Sequence, residues 1–230
     1  MRARFDEAPD RSLVIHPGSD LDVFPPDEGS PGRGDDRECI GMVYRLERDK
    51  LDETSIDPFL EIARLRPSAE ILVVGGGGLL QSFRTAVRRA GLDGRVTFTG
   101  YVAYDRLRSL YRKMSVFVAP VHRESFGQVS VFAMGCELPV AGYMVGALEE
   151  ILGSTELLVP TGDSEGLARV VVELLSDPTK RADIGRANRA RAQQLFSVET
   201  MIARYASLYS EALAGPLFRR SGRRPRFLRS

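Results

Sequence analysis

Between Cys39 and Leu175, short apolar runs rich in Val, Ile and Leu alternate with stretches of helical periodicity, and this alternation constrains the fold more than any other feature. The runs fall at 40–45, 71–75, 96–99, 116–120, 138–142 and 156–159, and the periodic stretches at 57–65, 79–90, 104–114, 126–136, 147–152 and 164–175. Strands that alternate with helices connect by right-handed crossovers, because a right-twisted strand feeding a helix packs back onto its own sheet only that way. The pattern predicts an α/β chain, a Rossmann-like doubly wound parallel sheet of about six strands. Two further helical stretches, 178–195 and 198–213, have no strand after them and are expected to close the domain as C-terminal helices. Sheets of this class take ligands outside the carboxyl ends of their strands, which directs attention to the loops after the apolar runs.

The flanks differ from this core in texture. Residues 1–37 are rich in Pro, Gly and Asp and read as a linker-like segment, 38–214 as one domain, and 215–230, with six arginines and no acid, as a basic, disordered tail. A formal net charge of +1 over 230 residues gives no global pull toward nucleic acid, and none is expected as a partner. Phe218, Phe227 and Leu228 interleave with the tail arginines, so weak contact with an anionic membrane stands beside the plainer reading of a solvated tail. Two cysteines, Cys39 and Cys136, make no disulfide framework, and neither stands at metal-ligand spacing from His16 or His122. No apolar run approaches the ~20 residues of a membrane span, and the charged first ten residues do not read as a signal peptide. The expected location is cytoplasmic, peripheral to a membrane only through the tail.

The loop after run 116–120 carries the densest chemistry, Glu124-Ser125-Phe126-Gly127-Gln128-Val129. Ser125 followed three residues later by Gln128 is a capping-box pattern, which predicts a helix from near Phe126, with Gly127 letting a ligand approach the backbone. A helix start of this kind offers unpaired N–H groups and a positive dipole end to an anion such as a diphosphate. A capped crossover helix with a dipole-favoured acid in front of it is the competing reading.

After the first run come Arg45 and Lys50, a fork-shaped guanidinium and a point-charge ammonium that could reach one diphosphate; the alternative is a solvated charged loop. The turn 75–78 is four glycines between a strand and a helix. It lacks the third glycine of a dinucleotide fingerprint and the Lys-Ser/Thr of a P-loop, leaving a plain turn or a glycine-lined cleft wall. Asp20-Leu21-Asp22 lies in the linker-like segment and reads as turn chemistry rather than a metal site. His122 precedes Glu124 but has no orienting carboxylate identifiable in sequence, so a surface-loop role is expected.

Taken together, Arg45 with Lys50, the turn 75–77, Val96-Thr97-Phe98-Thr99-Gly100-Tyr101-Val102, the run 116–120, Glu124 to Val129 and Leu138-Pro139-Val140-Ala141 resemble glycosyltransferase family 4. The resemblance is to the carboxyl-terminal, donor-binding half of that family's two-domain GT-B fold and covers about residues 14–213. It implies a retaining hexosyl transfer from a nucleotide-diphosphate sugar, with no metal and no further cofactor. Arg45 and Lys50 would hold the diphosphate, and Glu124 the hydroxyls of the transferred sugar. The backbone of Ser125, Phe126, Gly127, Gln128 and Val129 would contact sugar and phosphate, Gly77 would line the cleft, and the base would lie near Tyr101 and Val102.

The sequence departs from the family pattern in four places. Phe132 occupies the position of a second Glu that grips ribose hydroxyls, and an aromatic ring cannot accept those hydrogen bonds. Tyr44 stands where a small residue commonly precedes the Arg, and Glu137 where a helix-ending Gly is usual. The amino-terminal acceptor-binding domain has no counterpart in these 230 residues, so a separate acceptor domain is an expected partner. A non-catalytic nucleotide-sugar-binding or docking module is the alternative function.

Overall fold

The computed structural model describes residues 13–25 and 38–214. The basic tail therefore lies outside the described residues, as do 1–12 and 26–37 of the linker-like segment. Six strands, β1 (Cys39–Val43), β2 (Glu70–Val74), β3 (Val96–Phe98), β4 (Val116–Ala119), β5 (Val140–Tyr143) and β6 (Leu158–Val159), form one sheet in the order β3-β2-β1-β4-β5-β6. Every pairing is parallel. The side chains of β1, β2 and β4 are buried on both faces, which is why these three read as near-continuous apolar runs rather than alternating ones.

Six helices connect or follow these strands within the sheet: α1 (Asp57–Leu65), α2 (Leu80–Arg89), α3 (Tyr104–Tyr111), α4 (Gln128–Gly135), α5 (Leu148–Leu152) and α6 (Ser164–Ser176). Two long ones, α7 (Pro178–Phe196) and α8 (Val198–Ala214), end the domain. Asp163 caps α6 through Gly166 N–H at 2.8 Å and Asp177 caps α7 through Lys180 N–H at 2.9 Å, each placing a carboxylate on otherwise orphaned donors. The core is continuous, with Phe59, Phe83, Tyr111, Phe117, Tyr143 and Phe196 fully buried in it. The doubly wound α/β expectation holds, with six strands as expected.

Part of the linker-like segment is built into this core. Ser19 N–H donates to Phe196 O at 2.7 Å and Val198 N–H to Ser19 O at 3.2 Å, so residue 19 bridges the α7–α8 joint. Leu21 and Phe24 are buried, and Phe24 stacks on Phe132 at 4.4 Å and 12°. The Pro and Gly texture around these two apolar residues concealed the contact, because a single turn that docks two side chains has no periodicity. Asp20 accepts from Asp22 N–H at 3.2 Å at the head of that turn, as its turn reading requires.

Strand order reverses between β1 and β4. At such a reversal the two neighbouring crossovers leave on opposite faces, and the loops part to form a crevice at the carboxyl edge. The loops carrying Arg45 with Lys50 and Glu124 with Gln128 are the ones that follow β1 and β4.

Candidate functional site

The centre of the crevice is an ion pair across these two loops. Lys50 Nζ donates to Glu124 Oε1 at 2.7 Å; the glutamate side chain has no solvent exposure and that of Lys50 is 34% exposed. Glu124 Oε1 also accepts from the N–H groups of Ser125 at 3.0 Å and Phe126 at 3.3 Å. The backbones are joined as well, His122 N–H donating to Lys50 O at 2.8 Å. Residues 74 positions apart in sequence are thus brought into contact by the β1–β4 pairing.

A second contact ties the same loops. His122 Nε2 lies 3.2 Å from Asp52 Oδ1 and 3.4 Å from Thr54 Oγ1. The histidine thus has a carboxylate partner, in place of the lone surface-loop residue expected. Partial burial works to raise the Asp52 carboxyl, but hydrogen bonds from the Thr54 hydroxyl and amide, the nearby His122 and the Ser55 amide outweigh it and hold the group below its ordinary value. Asp52 was missed in sequence because its signal, an Asp three residues before Ser55, is that of a helix cap, a role it also fills.

Helix α4 does not begin as the capping-box pattern predicts. It starts at Gln128, its N-cap is Gly127 in the left-handed region (φ 92°, ψ 42°), and no side chain caps it. Glu124 explains the difference, since its carboxylate takes the Ser125 and Phe126 amides and turns them away from a helical path. A charged acceptor outcompetes the Gln128 side-chain amide for the Ser125 N–H, the donor that a capping box would give to that glutamine. A Cβ at 127 would meet Ile151 Cδ1 at 2.9 Å and Glu124 Cγ at 3.4 Å, so glycine serves both the φ value and the packing. Gln128 and Val129 become the first helical residues, whose N–H groups have no acceptor within the helix.

Arg45 stands apart from the pair. Its side chain is 78% exposed and its Nη2 donates to Asp49 Oδ2 at 2.6 Å. The glycine turn is stitched to the same loop, with Leu46 N–H on Gly76 O at 2.9 Å, Leu79 N–H on Leu46 O at 2.9 Å and Gly78 N–H on Glu47 Oε1 at 2.9 Å. Gly75 and Gly77 have φ of 128° and 151°, and a Cβ on either would overlap the carbonyl oxygen of Tyr44 or Leu46. Backbone-to-backbone contact therefore accounts for these glycines. The Gly75–Gly100 bridge draws the β3 loop over the turn, leaving Tyr101 88% exposed and Val102 half-buried at the crevice's outer end.

Among the other expected residues, Ser125 and Gln128 are exposed, and Phe126 is half-buried against Phe196. Val129 O accepts from the Tyr111 hydroxyl at 3.0 Å. Phe132 is the exception, its ring buried and taken up by Phe24 and, edge to face at 5.8 Å, Tyr104. Gly146 (φ 57°) carries the β5 loop onto the Glu124 carbonyl, where a Cβ would overlap. Among the described residues no cluster of three or more His, Cys, Asp or Glu side chains could hold a metal ion, and no helix is long and apolar enough to cross a membrane.

Comparison with known proteins gives this arrangement a context. The family model for glycosyl transferases group 1 matches residues 24–191. The chain is 33% identical over 175 residues to 2-deoxystreptamine N-acetyl-D-glucosaminyltransferase of Streptomyces fradiae, covering 74% of this chain and 39% of that protein. It is 32% identical over 229 residues to D-inositol 3-phosphate glycosyltransferase of Mycolicibacterium smegmatis, covering 92% and 51%. Among solved structures it resembles sucrose-phosphate synthase of Thermosynechococcus elongatus (TM-score 0.77, 27% identity, 92% of this chain and 55% of that one). It also resembles Anabaena HepE in complex with UDP and glucose (TM-score 0.76, 25% identity, 91% and 60%). The C-terminal domain of a Francisella tularensis glycosyl transferase group 1 protein is matched along its whole length (TM-score 0.70, 25% identity, 79% of this chain). The chain spans about half the length of the curated relatives it matches.

Proposed function

The chain belongs to the glycosyl transferases group 1 family, and from that premise we propose that it is the donor-binding half of a retaining family 4 hexosyltransferase using a nucleotide-diphosphate sugar. The observation that carries the reading is the Lys50–Glu124 pair at the point where strand order reverses. A cation and an acceptor are held there within one hydrogen bond of each other, as a diphosphate linked to a sugar requires. HepE, similar to this chain, was solved with UDP and glucose, so a uridine diphosphate sugar is the first donor to try.

In this reading the diphosphate lies along the first turn of α4 and draws Lys50 from Glu124, with Arg45 swinging from Asp49 to join it. Glu124, whose carboxylate Lys50 shields, then accepts from sugar hydroxyls. The bond from the anomeric carbon to the diphosphate breaks, an acceptor hydroxyl oxygen takes its place on the same face of the sugar, and the hydroxyl proton passes to the departing diphosphate. Two protein cations and the helix end stabilise the leaving diphosphate in place of a metal. The base rests near Tyr101 and Val102, with Gly77 in the adjoining wall.

An acceptor-binding domain completes the crevice. The half-length match to relatives supports it, as does α8, which buries none of its residues and exposes Ile202, Tyr205, Tyr209 and Leu213 along one face. We place the protein in the cytoplasm. Contact of residues 215–230 with anionic lipid is a separate proposal, resting on their arginines alone. One observation favours a non-catalytic binding module instead: Phe132, where the family has its second Glu, is committed to stacking and offers the ribose no acceptor.

Calorimetric titration with UDP, GDP, ADP and their sugar conjugates tests the reading, with Arg45→Ala and Glu124→Ala alongside. Binding of one nucleotide sugar, weakened by both substitutions, is expected. A folded chain that binds none of them would overturn it.

A further inference from the structure

His122 and Asp52 take no part in the proposed transfer, yet each stands two residues from a member of the central pair, one on each loop. His122 meets the opposing loop at two points. Its N–H donates to Lys50 O at 2.8 Å, and its Nε2 lies 3.2 Å from Asp52 Oδ1. Both ends of the second contact are braced. Asp52 Oδ1 also accepts from Thr54 N–H at 2.8 Å and from the Thr54 hydroxyl at 2.6 Å, as the cap of the short 3-10 helix Glu53–Ile56. The His122 ring lies against that of Tyr143, the last residue of β5, at 5.5 Å and 60°. Leu51 and Val121, the chain neighbours on either side of the contact, are buried and anchor the two loops. A carboxylate held below its ordinary value is ionised and can only accept, so the imidazole nitrogen that faces it, Nε2, carries a proton.

We propose that Asp52 and His122 are positioning residues: their contact clamps the loops after β1 and β4 together, so that Lys50 and Glu124 keep their spacing when a ligand draws the lysine off the glutamate. In the free chain the Lys50–Glu124 bond itself helps to hold the loops. A ligand that takes over Lys50 Nζ removes that tie at the moment when the site has to be firm. The Asp52–His122 contact uses neither group, and the His122 N–H uses only the Lys50 backbone, so both persist in the bound state. A hydrogen bond to an ionised carboxylate is stronger than a neutral one, and braced partners lose little further freedom, so the spacing is set before the ligand arrives. The functional half of this inference rests on the proposed reading of Lys50 and Glu124 as the donor's ligands.

The full chain with Asp52→Ser, His122→Phe and both together tests it in two measurements. Serine caps a helix about as well as aspartate but is one bond too short to reach His122, and phenylalanine keeps a ring against Tyr143 but has no Nε2. In urea unfolding, the midpoint loss of the double variant should be about half the sum of the two single losses, because both singles remove the same contact. Additive midpoints overturn the proposal whatever else is seen. In calorimetric titration, each single substitution should weaken UDP by about fivefold and the double by no more than that, while His122→Gln, which still offers an amide N–H to Asp52, should recover most of the loss. Coupled midpoints with UDP affinity unchanged, or with His122→Gln as weak as His122→Phe, overturn the positioning role. A wild-type chain that binds neither UDP nor UDP-glucose sinks the donor reading and the clamp's function with it, and the midpoints then decide the Asp52–His122 contact by themselves.

Discussion

The two sides of the crevice are built by different means. On the β1–β2–β3 side, loops are joined backbone to backbone through glycines, and the side chains of Arg45 and Tyr101 are left exposed. On the β4–β5 side, a shielded carboxylate organises its own loop and binds the lysine that reaches over from β1. One side is a rigid frame with exposed arms, the other a set polar centre. A site that must admit a charged ligand and then grip it benefits from both, because preset groups need no reorganisation while exposed arms can close.

The backbone frame should show the largest effect when broken. Gly75→Ala forces a Cβ onto the Tyr44 carbonyl at φ 128°, and Gly77→Ala forces one onto the Leu46 carbonyl at φ 151°. Each should cost about 3 kcal/mol or more in urea unfolding, since neither backbone neighbour can yield cheaply. Gly91→Ala, at φ 71° with no atom within 4 Å, isolates the conformational part and should cost only about 1 kcal/mol. Equal losses at all three positions would show that the close approaches carry no weight.

Next comes the contrast between the two cations. Lys50→Met leaves the Glu124 carboxylate buried without its partner, a loss of up to 3–5 kcal/mol for a fully buried pair and about 2 kcal/mol here, because Lys50 is 34% exposed. Arg45→Ala removes one member of a surface pair and should change stability by about 0.5 kcal/mol or less. Titration with UDP should nevertheless weaken for both. If Lys50→Met proved as harmless to stability as Arg45→Ala, the two sides of the crevice would not differ as described.

The same contrast explains what could be read in the sequence. The strands, the helices from α1 to α8 and the switch-point loops follow from periodicity, which is local and strong. Glu124 and Lys50 could be singled out by type and by the loops they occupy. Their contact, however, depends on β1 pairing with β4, a long-range register with no local signal. The start of α4 differs from the expected one for a related reason: Ser125 and Gln128 have the spacing of a capping box, but the carboxylate one residue upstream takes the Ser125 N–H that Gln128 would hold. Asp52 and the docked turn at 19–24 act through partners remote in sequence, and Phe132 shows its stacking role only once Phe24 is seen to fold back on it.

The smallest effect expected lies at the far end of α4, away from the crevice. Glu137 has φ 59°, the only positive φ at a non-glycine position among the described residues. Its N–H donates to Met134 O at 3.0 Å and the Leu138 N–H to Ala133 O at 3.0 Å, the paired bonds of a Schellman ending, in which the left-handed position favours glycine. A Cβ in that region is unfavourable by about 1 kcal/mol. Glu137→Gly should therefore stabilise the chain by no more than about 0.5 kcal/mol, after the greater unfolded-state freedom of glycine is offset, and raise Tm by about 1–2 °C. Because α4 begins just after Glu124 and its C-terminal turn closes at Glu137, the variant also shows whether the helix transmits strain to the site. Unchanged UDP affinity with raised Tm would mean that the polar centre is set by Lys50 and the loop amides, whereas altered affinity would make the left-handed Glu137 part of how the first turn of α4 is aimed.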